Sequence, residues 1–258
     1  LYVGTSSWIL CHMPHKKTDL FHSIATIPSA IPGKYLCANE QDMAGGALDF
    51  VIRRILYPEN GLAQVERSAI YAHLESALSR SPAGSNGLIF TPWLNGEKSP
   101  AEDHQLRSVF YNMSLRTTQD DLIRSVYEGV AFNSRWLLQY VDKFTERRSK
   151  TLNIIGGGAE SDGWCQIFAD VLNVKIRRVK DPRQANARGA AYIAAIGLGE
   201  LTLDQIHQLT EIEREFEPSE KNQTMYDLLF ANFLKIFEHN RPLFHSLQNG
   251  LSKIPGQL

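Results

Sequence analysis

The stretch Leu152-Asn153-Ile154-Ile155-Gly156-Gly157-Gly158-Ala159-Glu160-Ser161-Asp162-Gly163-Trp164 constrains the fold more than any other. Strand-compatible residues run directly into consecutive glycines, and Ser161 and Asp162 then supply the side-chain oxygens that cap a helix. Trp164, Ile167, Phe168, Val171 and Leu172 follow at i, i+3, i+4, i+7 and i+8, which is one helical stripe. A strand-to-helix turn stripped of Cβ atoms lets a flat ligand lie against bare backbone, or lets helix and strand pack closely. The local pattern leaves both open. It is not a dinucleotide fingerprint, because Ser161 stands where the third glycine is needed and no carboxylate follows at the required distance. It is not a P-loop either, since the chain contains no Gly-Lys-Ser or Gly-Lys-Thr.

The surrounding pattern is α/β. Tyr2-Val3, the turn Gly4-Thr5-Ser6-Ser7 and Trp8 to Cys11 read as a hairpin. Its turn groups backbone N–H and hydroxyl donors as phosphate oxygens require, although a plain hairpin has the same signature. Trp8 at the fifth position excludes a serine-hydrolase elbow. Phe21 to Ala25 and Lys34 to Ala38 read as further strands around Pro28, Pro32 and Gly33, predicting an antiparallel meander over residues 1–40. Ala44-Gly45-Gly46-Ala47 opens a helix with apolar Leu48, Val51, Ile52, Ile55 and Leu56, and a second helix is predicted over 62–79 through Val65, Ala69, Ala72, Leu74 and Leu78.

Beyond a loop over 81–87 and a strand at Leu88-Ile89-Phe90, Thr118-Gln119-Asp120-Asp121 forms an acidic capping box for a long helix. Its stripe runs from Ile123 through Val130 to Val141. Val174 to Val179 reads as a strand and Ala187 to Ile196 as an alanine-rich helix closed by Gly197 and Gly199. Residues 200–220 read as a polar link, and a last helix through Leu229 and Phe233 is expected to end or kink at Pro242. Alternating strands and helices after a meander imply a mixed sheet.

Net charge −1 gives no electrostatic case for nucleic acid or an anionic membrane surface. No apolar run approaches the roughly 20 residues of a membrane span, and no signal-peptide pattern opens the chain. Cys11, Cys37 and Cys165 are far apart in sequence and odd in number, which reads as reduced, buried thiols of a cytoplasmic protein. The histidines show no metal-ligand spacing, so no metal site is assigned. The chain opens at Leu1 already inside a strand pattern, which suggests a piece of something longer.

Taken in order, these segments resemble the C-terminal domain of the FGGY carbohydrate kinases, the xylulose kinases above all. The resemblance is carried by Gly4-Thr5-Ser6, Ala44-Gly45-Gly46-Ala47-Leu48, Asn95-Gly96-Glu97-Lys98-Ser99-Pro100, Glu128-Gly129-Val130-Ala131-Phe132, and Gly157-Gly158-Ala159 with Trp164. It implies a ribonuclease-H-like (actin-like ATPase) lobe: one domain over 1–258, with adenosine-binding strand-helix units at 151–199 and a helical tail at 200–258. It also implies a kinase passing the γ-phosphate of ATP to a sugar hydroxyl, with xylulose or another ketopentose as acceptor. A non-catalytic actin-like nucleotide-binding module is the alternative.

By resemblance, Gly4, Thr5 and Ser6 approach the outer phosphates, Gly45 and Asp49 line the nucleotide cleft, and Gly157, Gly158 and Asp162 hold the adenosine. Where the family commonly carries an amide, this chain has Asp49 and Asp162. The bare backbone of Gly158 is expected to face the base, so that a side chain there would block the nucleotide without unfolding the protein. The family's catalytic base, first phosphate loop and Mg2+ ligands lie in an N-terminal lobe that this sequence does not show. The isolated chain is therefore expected to be inactive, with no catalytic residue of its own and Mg2+ arriving with ATP. ATP, ADP and the sugar are the implied ligands, and a homodimer is compatible with the family.

Overall fold

β-Branched and aromatic pairs separated by hydroxyl-rich or Pro/Gly turns favour strands at the start of the chain. In the computed structural model, which describes residues 1–57 and 67–251, this region forms β1 (Tyr2–Val3), β2 (Ser7–Trp8), β3 (Cys11–Met13), β4 (Thr18–Asp19), β5 (Ile24–Pro28) and β6 (Tyr35–Ala38). β1 and β2 are the expected hairpin, and β3-β6-β5-β4 is an antiparallel sheet. Ser7 and Gln41 exchange backbone hydrogen bonds of 3.1 and 2.8 Å, which carry the hairpin's pairing on to the end of β6.

The chain continues through α1 (Gly45–Phe50), drawn out by a π-turn at Val51–Leu56, then α2 (Arg67–Arg80), β7 (Ile89–Phe90) and β8 (Phe110–Tyr111). The long α3 (Gln119–Thr145) follows, then β9 (Thr151–Ile154), α4 (Asp162–Leu172), β10 (Lys175–Val179), α5 (Ala185–Gly197), α6 (Leu203–Leu209), β11 (Ile212–Phe216) and α7 (Glu220–Leu251). β10 lies parallel to β9 and antiparallel to β11. β1 joins β9 in parallel, with Val3 N–H donating to the Ile155 carbonyl at 2.9 Å. The strand order β2-β1-β9-β10-β11 therefore delivers the β1–β2 turn and the triple glycine after β9 to neighbouring positions.

Helix α3 is the spine. Thr118 and Asp121 form the predicted capping box, and the stripe from Ile123 to Val141 is buried together with Phe132, Trp136 and Phe144. The aromatic cluster of Trp93, Phe132, Phe233 and Phe237 locks α7 onto it. Each fully buried large apolar side chain contributes about 1.5–3 kcal/mol, so this seam dominates the packing energy. α5 differs: it is rich in alanine and isoleucine but holds no buried residue. Among the described residues, no helix is long and apolar enough to cross a membrane.

Several expectations are corrected. The strand expected from Phe21 begins at Ile24, because the Asp19 carboxylate accepts from the N–H groups of Phe21 and His22 and makes a turn there. Phe21 is left 90% exposed. The supposed link at 200–220 contains α6, capped by Thr202 and Gln205, and the edge strand β11. Alternating charges on β11 pair with β10 through Lys175–Glu215 and Arg178–Glu213, a cross-strand pattern that reads as polar linker in sequence. The tail over 200–258 is thus not wholly helical. α7 continues through Pro242, where Asp103 accepts from Arg241 and His245 on either side of the proline, each at 2.7 Å. Val65 and the start of the helix predicted over 62–79, like residues 252–258 of the domain, lie outside the described residues; the described helix begins at Arg67. Of the three cysteines, Cys37 and Cys165 are buried but Cys11 is only half-buried.

Candidate functional site

The β1–β2 turn, α1, α2 and the turn after β9 enclose a cleft of about 750 Å³. On one side, α1 fixes the hairpin turn. Gly45 N–H donates to the Gly4 carbonyl at 2.8 Å, while Ala44 and Gly46 donate to the Thr5 carbonyl at 2.7 and 3.0 Å. Free N–H groups at a helix start ordinarily attract an anion. Here they are spent on holding the turn, and the donors left over belong to the turn itself. The N–H and hydroxyl of exposed Thr5 have no hydrogen-bond partner among the described residues. A Cβ on Gly45 would lie 2.7 Å from the Gly4 carbonyl, so this contact requires glycine. The Tyr2 ring, stacked on Trp8 at 4.2 Å, covers Gly4 from the side.

Across the cleft, the three glycines do different things. Gly156 adopts φ +95°, donates to the Pro182 carbonyl at 2.9 Å and presses against the Val3 carbonyl. A Cβ on Gly158 would fall 2.5 Å from Val3 Cγ1 and 2.9 Å from the Trp164 ring, inside the core. A Cβ on Gly157 would meet only the Arg183 guanidinium, at 4.0 Å. Bare backbone therefore faces open space at Gly157, whereas a side chain at Gly158, expected to block the nucleotide without unfolding the protein, meets Val3 and Trp164 in the core first. Ser161 then caps α4 by accepting from Trp164 N–H at 2.9 Å.

Gly4, Thr5, Gly45, Asp49, Gly157 and Gly158 all line the cleft, whereas Ser6 and Asp162 do not. Asp162 is held on the outer side of the turn between Arg178, at 2.6 Å, and Arg214. Asp49 reaches the cleft but is paired with Arg53 at 2.7 Å. Sequence reasoning did not single out Tyr71, Glu75, Tyr127 or Arg183, which complete the walls. Tyr71 and Glu75 sit one helical turn apart on α2, a weak signal in hindsight; Arg183 arrives from the turn after β10 and has no local signature.

Two buried carboxylates support the cleft from behind. Glu97 accepts from Asn133 at 2.5 Å, Lys98 N–H at 2.8 Å and Asp42 N–H at 3.1 Å, which anchors the segment leading into α1. Among the described residues no cation pairs with it; burial outweighs the three donors and pushes its carboxyl up to about 7. Glu128 accepts from Arg124 at 2.7 Å, Tyr226 at 2.8 Å, Ser85 at 2.7 Å and Gly84 N–H at 2.8 Å, joining α3, α7 and the loop after α2. Tyr226 is pushed well above the usual phenol range, first by burial and then by the Glu128 charge.

Comparison with known proteins places this geometry. The C-terminal domain of the FGGY family of carbohydrate kinases matches residues 1–198. The chain is 27% identical over 243 residues to a xylulose kinase of Staphylococcus epidermidis, covering 93% of the chain and 47% of that protein. The solved structures of a xylulose kinase and of a gluconate kinase from Lactobacillus acidophilus each superpose with TM-score 0.81 at 26% identity, over 95% of this chain and 48% of theirs. The chain thus spans about half the length of these relatives. With more than half of its residues matched to one domain type, the chain belongs to the FGGY family of carbohydrate kinases, as a C-terminal domain of that family.

Proposed function

We propose that residues 1–258 form the nucleotide-binding half of an ATP-dependent sugar kinase that phosphorylates a sugar hydroxyl, with a ketopentose such as xylulose as acceptor. The observation that carries this reading is the pairing of unpartnered Thr5 donors, held rigid by α1, with the bare backbone of Gly157 on the opposite wall. The first suits phosphate oxygens and the second suits a flat base. The parallel run β1-β9-β10 flanked by antiparallel strands supports a ribonuclease-H-like, actin-like ATPase lobe. Xylulose is favoured by the name of the staphylococcal relative. The equal likeness to a gluconate kinase supports placing sugar selection outside this half.

When bound, ATP supplies the phosphoryl group. Thr5 would hold its outer phosphates beside the bare wall of Gly4, Gly157 would face its base, and Tyr2 and Tyr127 would exclude water from the walls. Among the described residues, no three His, Cys, Asp or Glu side chains converge as a metal cage. In line with the family resemblance, we assign Mg2+ to the nucleotide's own phosphates and to residues beyond this half. Phosphoryl transfer rests on positioning and charge stabilisation around the γ-phosphate, and this domain provides one wall of that arrangement. The test is titration calorimetry of the 258-residue chain with ATP and ADP, beside a phosphorylation assay with xylulose. Binding without turnover is expected; failure to bind either nucleotide would refute the site, and turnover by the chain alone would refute the division of labour.

A further inference from the structure

Cys11 and Cys37 stand directly opposite each other on the antiparallel neighbours β3 and β6. Residues so paired have Cα atoms about 4.5–5.5 Å apart, within the roughly 4.4–6.8 Å over which a disulfide can close, and they project to the same face of the sheet. Both are free thiols, facing each other across the two strands. Their settings differ: Cys37 is buried and receives the Asn39 amide at 3.9 Å, while Cys11 is half-buried and can be reached from solvent. The Cys37 hydrogen bond pulls the Cys11 thiol down to about 7, against the opposing effect of burial; Arg147 lowers it further and Asp142 raises it. The partner Cys37 is displaced upward by the same bond. A reachable thiol with thiolate character beside a resolving thiol is what an oxidisable pair requires. Cys165 offers the contrast: it is buried, bonded to the Ala159 carbonyl at 3.4 Å, pushed up to about 12 by burial, and has no cysteine opposite it.

We propose that Cys11 and Cys37 are an oxidant-sensing dithiol that closes to an intramolecular disulfide when it meets a small hydroperoxide. The Cys11 thiolate attacks the terminal peroxide oxygen; an S–O bond forms, the O–O bond breaks, and the leaving oxygen takes up a proton as water or alcohol. Cys37 then attacks the Cys11 sulfur; the S–S bond forms, the S–O bond breaks, and the hydroxyl leaves as water with the Cys37 proton. The net change is two thiols and one hydroperoxide to one disulfide, one water and one alcohol, or two waters when the oxidant is hydrogen peroxide. The pair lies behind the cleft, on the strands that lead out of the Gly4–Thr5 turn and into the start of α1. The proposal does not depend on what the cleft binds.

The test treats the folded chain with a small excess of hydrogen peroxide, blocks remaining thiols under denaturing conditions, and maps peptides without reduction. The expected product is a Cys11–Cys37 cross-linked peptide in a monomer lighter by two hydrogens, with Cys165 recovered as blocked thiol. Cys11→Ser should abolish peroxide consumption, and Cys37→Ser should leave Cys11 as a sulfenic acid captured by a dimedone probe. Should Cys37→Ser fail to fold, Cys11→Ser, at a half-exposed edge position, still separates the outcomes. Cys11 accumulating as sulfinic acid beside a free Cys37, a Cys11–Cys11 dimer, or oxidation of Cys165 at the same rate would each overturn the proposal.

Discussion

Adjacent glycines in the turn after β9 should fail in opposite ways when substituted, and this follows from where a methyl group would go. At Gly158 the added Cβ sits 2.5 Å from Val3 Cγ1 and 2.9 Å from the Trp164 ring, and both neighbours are buried. Overpacking of that kind costs about 1–3 kcal/mol. For a chain of this size, 1 kcal/mol moves Tm by roughly 2–4 °C, so Gly158→Ala should lower Tm by about 2–12 °C. Nucleotide affinity of the folded fraction should stay near that of the parent. At Gly157 the nearest atom is the Arg183 guanidinium at 4.0 Å, and neither glycine has a positive φ, so the backbone accepts a side chain. Gly157→Val should melt within about 2 °C of the parent and lose on the order of 10- to 100-fold in ADP affinity, a penalty of roughly 1.4–2.8 kcal/mol. Scanning fluorimetry and calorimetry on the same preparations read both quantities. Parent-like ADP binding by Gly157→Val, or a parent-like Tm for Gly158→Ala, would refute the division between a ligand-facing and a core-facing glycine.

Thr5→Val in a protein carrying both lobes should lower kcat more than it raises KM, by about 2–4 kcal/mol of transition-state stabilisation; unchanged kinetics would make the β1–β2 turn a hairpin only. Glu97 should impose a pH dependence on stability. Burial raises its folded carboxyl to about 7, above the ordinary glutamate range, so between the two the folded state holds a proton that the unfolded state has released. The stability that Glu97 contributes should therefore be fully present below about pH 4.5, fall by roughly 3 kcal/mol as pH rises through 7, and level off above it. In Glu97→Gln that slope should vanish, and a parent-like slope in urea melts across this range would show that another group titrates. Glu128→Ala should destabilise by roughly 3–5 kcal/mol, because Arg124 loses the partner of a buried ion pair; a urea midpoint near that of the parent would contradict the role given to Glu128.

The parts of the fold legible in the sequence were those written in local periodicity. The capping box at Thr118, the stripe of α3 and the strand-turn-helix at Gly156 to Trp164 need only neighbours three or four residues away. β11 was missed because an edge strand whose partners are ion pairs looks like polar linker until β10 is placed beside it. The turn at Asp19 was missed because Phe21 suggested a strand, while the deciding interaction was one carboxylate accepting two N–H groups. At the cleft, glycine positions announced themselves, yet which glycine has open space in front of it is set by Val3, a residue far away in the chain. Asp162 shows the same limit: the sequence offers it beside the glycines, while its carboxylate is taken up by Arg178 and Arg214, which no local spacing reveals. The Cys11–Cys37 pairing, invisible as spacing, follows at once from the register of β3 and β6.

The family motifs divide by the work they do, and the division bears on how such a lobe can act. Of the segments that carry the likeness, Gly4-Thr5 and Gly157 meet the cleft, whereas Glu97 and Glu128 are buried and touch no part of it. Glu97 holds Asp42 N–H, and two residues later the N–H groups of Ala44, Gly45 and Gly46 hold the carbonyls of Gly4 and Thr5. That chain of bonds fixes the Thr5 donors before any ligand arrives. Donors set in advance need no reorganisation as charge develops, and this is where electrostatic catalysis gains most. On the proposed function, Arg183 in the wall is paired with Glu160, so the cations that neutralise a transferring phosphate would come mainly with the nucleotide or from a facing lobe. On that function, a half built this way would position the phosphates and leave the chemistry to what closes over it.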